Sequence, residues 1–145
     1  MEVGLFLIVA ALVVALDQGV KALIRRRPAG AGAPTEASRP LLSVRIVENP
    51  RGGLAELSPV AGAVGLVVLA GLCVFLLTSS DDAALLDVGL GLAWGGAVGN
   101  WLDATLRGTV TDYLQLRSGL TCNLADVAIA AGVVLGLLGF LLAPA

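Results

Sequence analysis

Residues 3–24, 57–77, 83–106 and 122–143 are four mostly apolar stretches. Each is close to the ~20 residues a helix needs to cross a bilayer. Together they fill most of a 145-residue chain. A chain this short leaves about a third of its unfolded surface exposed after folding. With 57% hydrophobic and only 14% charged residues, it has more apolar surface than one small core can hide. Lipid is therefore the expected solvent. The fold class expected is an all-α membrane protein, a four-transmembrane-helix bundle forming one integral membrane domain over residues 1–145, with a small extramembrane β element between helices 1 and 2. The first stretch follows Met1-Glu2 without a basic leader and runs past signal-peptide length, so it is read as a retained helix.

The one long polar segment, residues 25–56, separates the first two spans. Its first half carries Arg25-Arg26-Arg27-Pro28 and further Gly and Pro, the composition of a loop. Its second half, Leu41-Leu42-Ser43-Val44-Arg45-Ile46-Val47, alternates well enough for a strand at the membrane surface. Residues 78–82 and 115–121 are read as short loops. Gly91, Gly95 and Gly99, then Gly132 and Gly136, recur four apart, the small-residue spacing that lets helix backbones approach closely in lipid.

A net charge of −2 and a pI near 4.9 give no case for nucleic acid as a partner. Histidine is absent, which removes Ser/His and Cys/His catalysis and histidine metal sites together. No metal or cofactor is expected. Cys73 and Cys122 are read as packing residues, neither disulfide-bonded nor nucleophilic.

Ionisable side chains inside a span cost at least ~2.5–3.5 kcal/mol at the bilayer centre, so they are rarely idle. Asp17 and Lys21, the chain's one lysine, lie four apart on one helical face and can pair. Asn100 and Asp103 share a face of span three, Asp112 follows it, and Asn123 and Asp126 open span four. Spans three and four are antiparallel neighbours, which brings Asp112 and Asp126 to similar depth at one surface. Two adjacent carboxylates do not both ionise cheaply, and such a pair offers one general base and one general acid. The same residues would also serve as headgroup neighbours, as helix caps or as a polar transport pathway, and spacing alone does not choose among these.

The wording of the motifs does choose. Gly95-Gly96-Ala97-Val98-Gly99-Asn100-Trp101-Leu102-Asp103, continuing through Gly108-Thr109-Val110-Thr111-Asp112-Tyr113, resembles the central block of lipoprotein signal peptidases (signal peptidase II). Asn123-Leu124-Ala125-Asp126 resembles that family's closing block, Asp17-Gln18-Gly19-Val20-Lys21 its first-span element, and Glu48-Asn49 with Gly52-Gly53 its loop motif. The resemblance implies an aspartic endopeptidase, with Asp112 and Asp126 as the catalytic pair. Asn49, Asn100, Asp103 and Asn123 would shape the site or bind substrate, and Asp17 and Lys21 would support or flank it. It implies cleavage of diacylglyceryl-modified prolipoproteins before the lipidated cysteine. The partners are then the lipid-modified prolipoprotein and membrane lipids, and the protein is expected to be a monomer, multi-pass in the bacterial inner membrane. A non-catalytic membrane adaptor or a small transporter is the alternative.

Two departures stand out. Ala104 occupies the position of the family's usual arginine beside Asp103, and Arg107, one turn on, is placed to stand in. Arg51 interrupts the glycine of the loop motif. Orientation is contested within the sequence itself. Arg25, Arg26, Arg27, Arg39, Arg45, Arg51, Arg107 and Arg117 all fall on the side of the aspartate pair. The positive-inside rule would make that side cytoplasmic, whereas the resemblance implies the extracytoplasmic face, which is the orientation adopted.

Overall fold

The computed structural model describes residues 3–26, 41–49, 59–79 and 84–142. Four helices form where the apolar stretches predict them: α1 Val3–Arg25, α2 Pro59–Ser79, α3 Ala84–Arg107 and α4 Leu124–Leu142. Of these, α1 and α4 are long and apolar enough to cross a membrane by length and composition, and α2 contributes a shorter apolar run, Val60–Leu76. In α4 the buried residues are Ala125, Ala128, Gly132, Gly136 and Gly139, while Val133, Val134, Leu137, Phe140 and Leu141 are exposed. Large apolar side chains outward and small ones inward is the reverse of a water-soluble helix, and it fits a hydrocarbon surround.

The small residues set the distances between helices. Gly91, Gly95 and Gly99 turn one ridge of α3 to α1, and Gly96 on another ridge meets α4. A Cβ on Gly95 would lie 2.7 Å from the Ala10 carbonyl oxygen, and one on Gly96 2.5 Å from that of Ala125. Glycine is required at both because backbone sits where a side chain would start. A third contact places Gly62 of α2 against the Trp101 indole. Phe6 and the fully buried Cys73 pack with Leu69, Leu90 and Trp94 to join α1, α2 and α3. Cys73 and Cys122 are free thiols.

The β element is larger than expected and not confined to the connection between the first two helices. It is a three-stranded antiparallel sheet in the order β1 (Leu42–Asn49), β2 (Val110–Leu116), β3 (Thr121–Cys122). Two of its strands come from between α3 and α4, where a loop over residues 115–121 was expected. Val110, Thr111 and Tyr113 are strong strand formers, but Val110–Tyr113 are all buried, so no polar alternation betrays the strand in the sequence. The turn from β2 to β3 is closed by Gly119, at φ 91°, whose N–H donates to the Leu116 carbonyl. Pairing of Thr121 and Cys122 with β2 also delays the start of α4 to Leu124, two residues later than expected. Opposite Tyr113 the β1 ladder is irregular. Val44 pairs with Leu114 and Val47 with Asp112, which leaves Arg45 and Ile46 as a β-bulge.

Candidate active site

The first turn of α4 organises the site. Four backbone N–H groups at a helix start have no partner within the helix, and in an apolar surround an unmet donor costs several kcal/mol. All four are met here by side chains. Asn123 N donates to Asp126 Oδ2 at 3.0 Å and Asp126 N to Asn123 Oδ1 at 3.0 Å, a reciprocal capping pair. Leu124 N donates to the Tyr113 hydroxyl at 3.0 Å, and Ala125 N to Asp17 Oδ1 at 3.1 Å. The start of α4 is thus held by its own cap, by β2 and by α1.

Asn123 also joins the two aspartates. Its side-chain Nδ2 donates to Asp112 Oδ1 at 2.9 Å while its backbone N donates to Asp126. Thr121 Oγ1 donates to Asp112 Oδ2 at 3.3 Å. Asn100 completes the link: its Nδ2 donates to Asp126 Oδ1 at 2.8 Å, and its Oδ1 accepts from Asn123 Nδ2 at 3.1 Å and from Lys21 Nζ at 3.0 Å. Lysine can only donate. Lys21 therefore fixes the Asn100 oxygen toward itself and the Asn100 amide nitrogen toward Asp126. Asp112 is almost wholly buried in β2, whereas Asp126 retains partial exposure.

Behind the pair lies a buried ion cluster. Lys21 Nζ sits 2.8 Å from Asp17 and 3.2 Å from Asp103, all three side chains fully buried. Asp103 Oδ1 also accepts from Arg107 Nη1 at 2.6 Å and Arg25 Nη1 at 3.4 Å, and its Oδ2 from Thr111 N at 3.3 Å. Arg107, four residues on, thus pairs with Asp103. Gln18 Nε2 bridges Asp17 and the Gly99 carbonyl. Gly99 cannot carry a side chain, because a Cβ there would lie 2.7 Å from Asp17 Oδ2.

Two neighbours outside the helices feel this charge. Burial pushes the Tyr113 hydroxyl pKa up, and the carboxylates of Asp17 and Asp126 add to the effect, although its hydrogen bond from Leu124 opposes them. Burial, then the charges of Asp126 and Asp112, raise the Cys122 thiol. That leaves less thiolate at neutral pH and makes Cys122 a poor nucleophile. Among the described residues, no group of three or more His, Cys, Asp or Glu is placed to hold a metal ion.

Seven polar residues from α1, α3, β2 and α4 therefore converge at one end of the bundle, with two aspartates sharing an asparagine at the front. The family model for signal peptidase (SPase) II matches residues 9–142. The chain belongs to the signal peptidase II family. As a member it is an aspartic-type peptidase of the membrane. It is 36% identical over 137 residues to the lipoprotein signal peptidase of Moorella thermoacetica, covering 90% of this chain and 88% of the relative. To that of Pelotomaculum thermopropionicum it is 33% identical over 134 residues, covering 90% and 87%. Its fold is shared with a bacterial membrane enzyme solved by the in meso method, at a TM-score of 0.77 and 22% identity over 97% of this chain and 90% of that one.

Within this signal peptidase II, the structure brings together Asp17, Lys21, Asn100, Asp103, Asp112, Asn123 and Asp126. Asn49 pairs through its backbone with Val110 at the end of β1, and Glu48 beside it accepts from the Thr109 hydroxyl, while the Asn49 side chain, Arg51, Gly52 and Gly53 lie outside the described residues. Sequence reasoning passed over Gln18, Arg25, Thr111, Tyr113 and Thr121. Gln18 and Tyr113 stood inside the quoted motifs, but their partners lie 81 and 11 residues away. Spacing along one element could not reveal them.

Proposed function

We propose that this protein is a membrane-embedded endopeptidase that cuts the signal peptide from diacylglyceryl-modified prolipoproteins before the lipidated cysteine, using Asp112 and Asp126. The observation that carries the assignment is the double donation from Asn123, one bond to each aspartate. It holds both carboxyl groups around one point at the end of the bundle. In the reaction, one carboxylate takes a proton from water as the water attacks the scissile carbonyl. The other, protonated, donates to the carbonyl oxygen, and a proton then passes to the leaving amine. The charge balance of the cluster favours this arrangement. Lys21, Arg25 and Arg107 supply three positive charges against four from Asp17, Asp103, Asp112 and Asp126, and one proton held by the catalytic pair makes the group neutral.

All four helices span the membrane in this reading, within one domain and one monomer, and the sheet lies at the surface. A substrate anchored by its acyl chains reaches the site by lateral diffusion through membrane lipid. The transporter alternative is not favoured. Asp17, Lys21 and Asp103 are fully buried and bonded to one another, an arrangement suited to a framework rather than a conduit. Incubating the purified protein with a diacylglyceryl-modified precursor should release the signal peptide, with the new N-terminus at the modified cysteine. Cleavage of the unmodified precursor at the same rate would contradict the assignment.

The site faces the extracytoplasmic side, against the arginine distribution, because family membership is the more specific guide. A fluorescent reporter that matures only in the cytoplasm, fused to the C-terminus, should therefore glow. A dark fusion, with an intact protein of the right size, would reverse the orientation.

A further inference from the structure

Asp112 sits in the least regular part of the sheet. The ladder between β1 and β2 is interrupted opposite Tyr113, its immediate neighbour, and β3 pairs only with Leu114 and Gln115. Beyond this break Asp112 and Thr111 pair with Val47 and Glu48, and slippage by one residue there would turn Asp112 to the other face. Its other neighbour, Thr111, is held by side chains as well as by the ladder. Thr111 is fully buried. Its backbone N donates to Asp103 Oδ2 at 3.3 Å and its hydroxyl accepts from Arg25 Nη1 at 3.0 Å. Successive strand residues point to opposite faces, so gripping the Thr111 side chain from behind aims Asp112 forward toward Asn123.

We infer that Arg25 is a positioning residue for Asp112, acting through the Thr111 hydroxyl, with Asp103 as the fixed anchor between them. The inference rests on the assignment of Asp112 as catalytic. Arg25 is suited to this role and is not merely one more cation for Asp103. Asp103 keeps Lys21 and Arg107 without it, while Thr111 takes its hydroxyl bond from Arg25. The Arg25 side chain is 21% exposed at the end of α1, at the edge of the cluster, whereas Lys21 and Asp103 are fully buried.

The test compares Arg25→Ala, Arg25→Lys, Thr111→Val and the double Arg25→Ala/Thr111→Val, purified in detergent, with a diacylglyceryl-modified precursor as substrate. A small displacement of a reacting group costs up to ~100-fold in rate. Arg25→Ala and Thr111→Val should each lower kcat about 10- to 100-fold with KM little changed, and the double variant should lose no more than either single one. Thr111→Val changes no charge, so an equal loss separates aim from electrostatics. Both bonds of Arg25 come from one nitrogen, so a lysine ammonium can replace it, and Arg25→Lys should stay within about threefold of wild type. Wild-type kcat in Thr111→Val, or losses that multiply in the double variant, overturns the inference. Asp112→Asn is the companion measurement. If it too retains activity, the assignment of the catalytic pair is at fault, whereas an inactive Asp112→Asn beside a fully active Arg25→Ala sinks the positioning role alone.

Discussion

Asp112→Asn is expected to lower cleavage by about 10²- to 10⁴-fold, in a protein that inserts and folds as the wild type does. Asparagine preserves the volume and the hydrogen bonds to Asn123 and Thr121. Its oxygen still accepts from Asn123, and the Thr121 hydroxyl, which donates to Asp112 now, can turn to accept from the new amide. What is lost is the ability to take up or release a proton. Asp126→Asn removes activity to the same extent but is the less clean variant. Both oxygens of Asp126 accept from donors held elsewhere, Asn100 Nδ2 and Asn123 N. Asn100 cannot flip to oblige, because Lys21 and Asn123 both donate to its oxygen. An amide at 126 must therefore set one N–H against another, at a cost of about 1–3 kcal/mol. Cleavage of a lipidated precursor and the thermal midpoint in detergent measure the two effects separately. Equal stability of the two variants would contradict the bonding scheme, and cleavage by Asp112→Asn would remove the dyad.

Lys21→Met is expected to be the most damaging change to the framework. The ammonium meets Asp17, Asp103 and the Asn100 oxygen in a site with no solvent exposure. Methionine fills the space but leaves Asp17 with no cation among the ion pairs described. Breaking a buried pair by removing one partner costs about 3–5 kcal/mol. Asp17 is also the acceptor for Ala125 N, so the disturbance reaches the start of α4. Loss of accumulated protein in the membrane, or a sharply lowered midpoint in detergent, is the expected result. A midpoint equal to wild type would mean that the cluster does not hold the bundle together.

Much of this was legible in the sequence, for identifiable reasons. Helix positions followed from apolar length, and the Asp17–Lys21 pair from a spacing of four. So did the pair of Asp103 with Arg107, since these two are also four apart. Asn123 and Asp126 were readable as a helix cap, which the structure shows, and in the proposed mechanism the same cap presents Asp126. The second and third strands were not legible, because Val110–Tyr113 are buried on both faces, which erases alternation, and a strand of two residues is too short to show any. Nor was the capping of α4 by Asp17 and Tyr113, which depends on how α1 and β2 pack beside it. Contacts that arise only when separate elements meet leave no period in a single chain.

The reciprocal bonds between Asn123 and Asp126 have a consequence for any compound designed to grip the aspartate pair. Escape from such a drug would come by changing the acid that the drug holds, but Asp126 also caps the first turn of α4. Under the proposed mechanism, substituting it would cost activity and strain the start of α4 together, which favours resistance at residues farther from the drug's anchor.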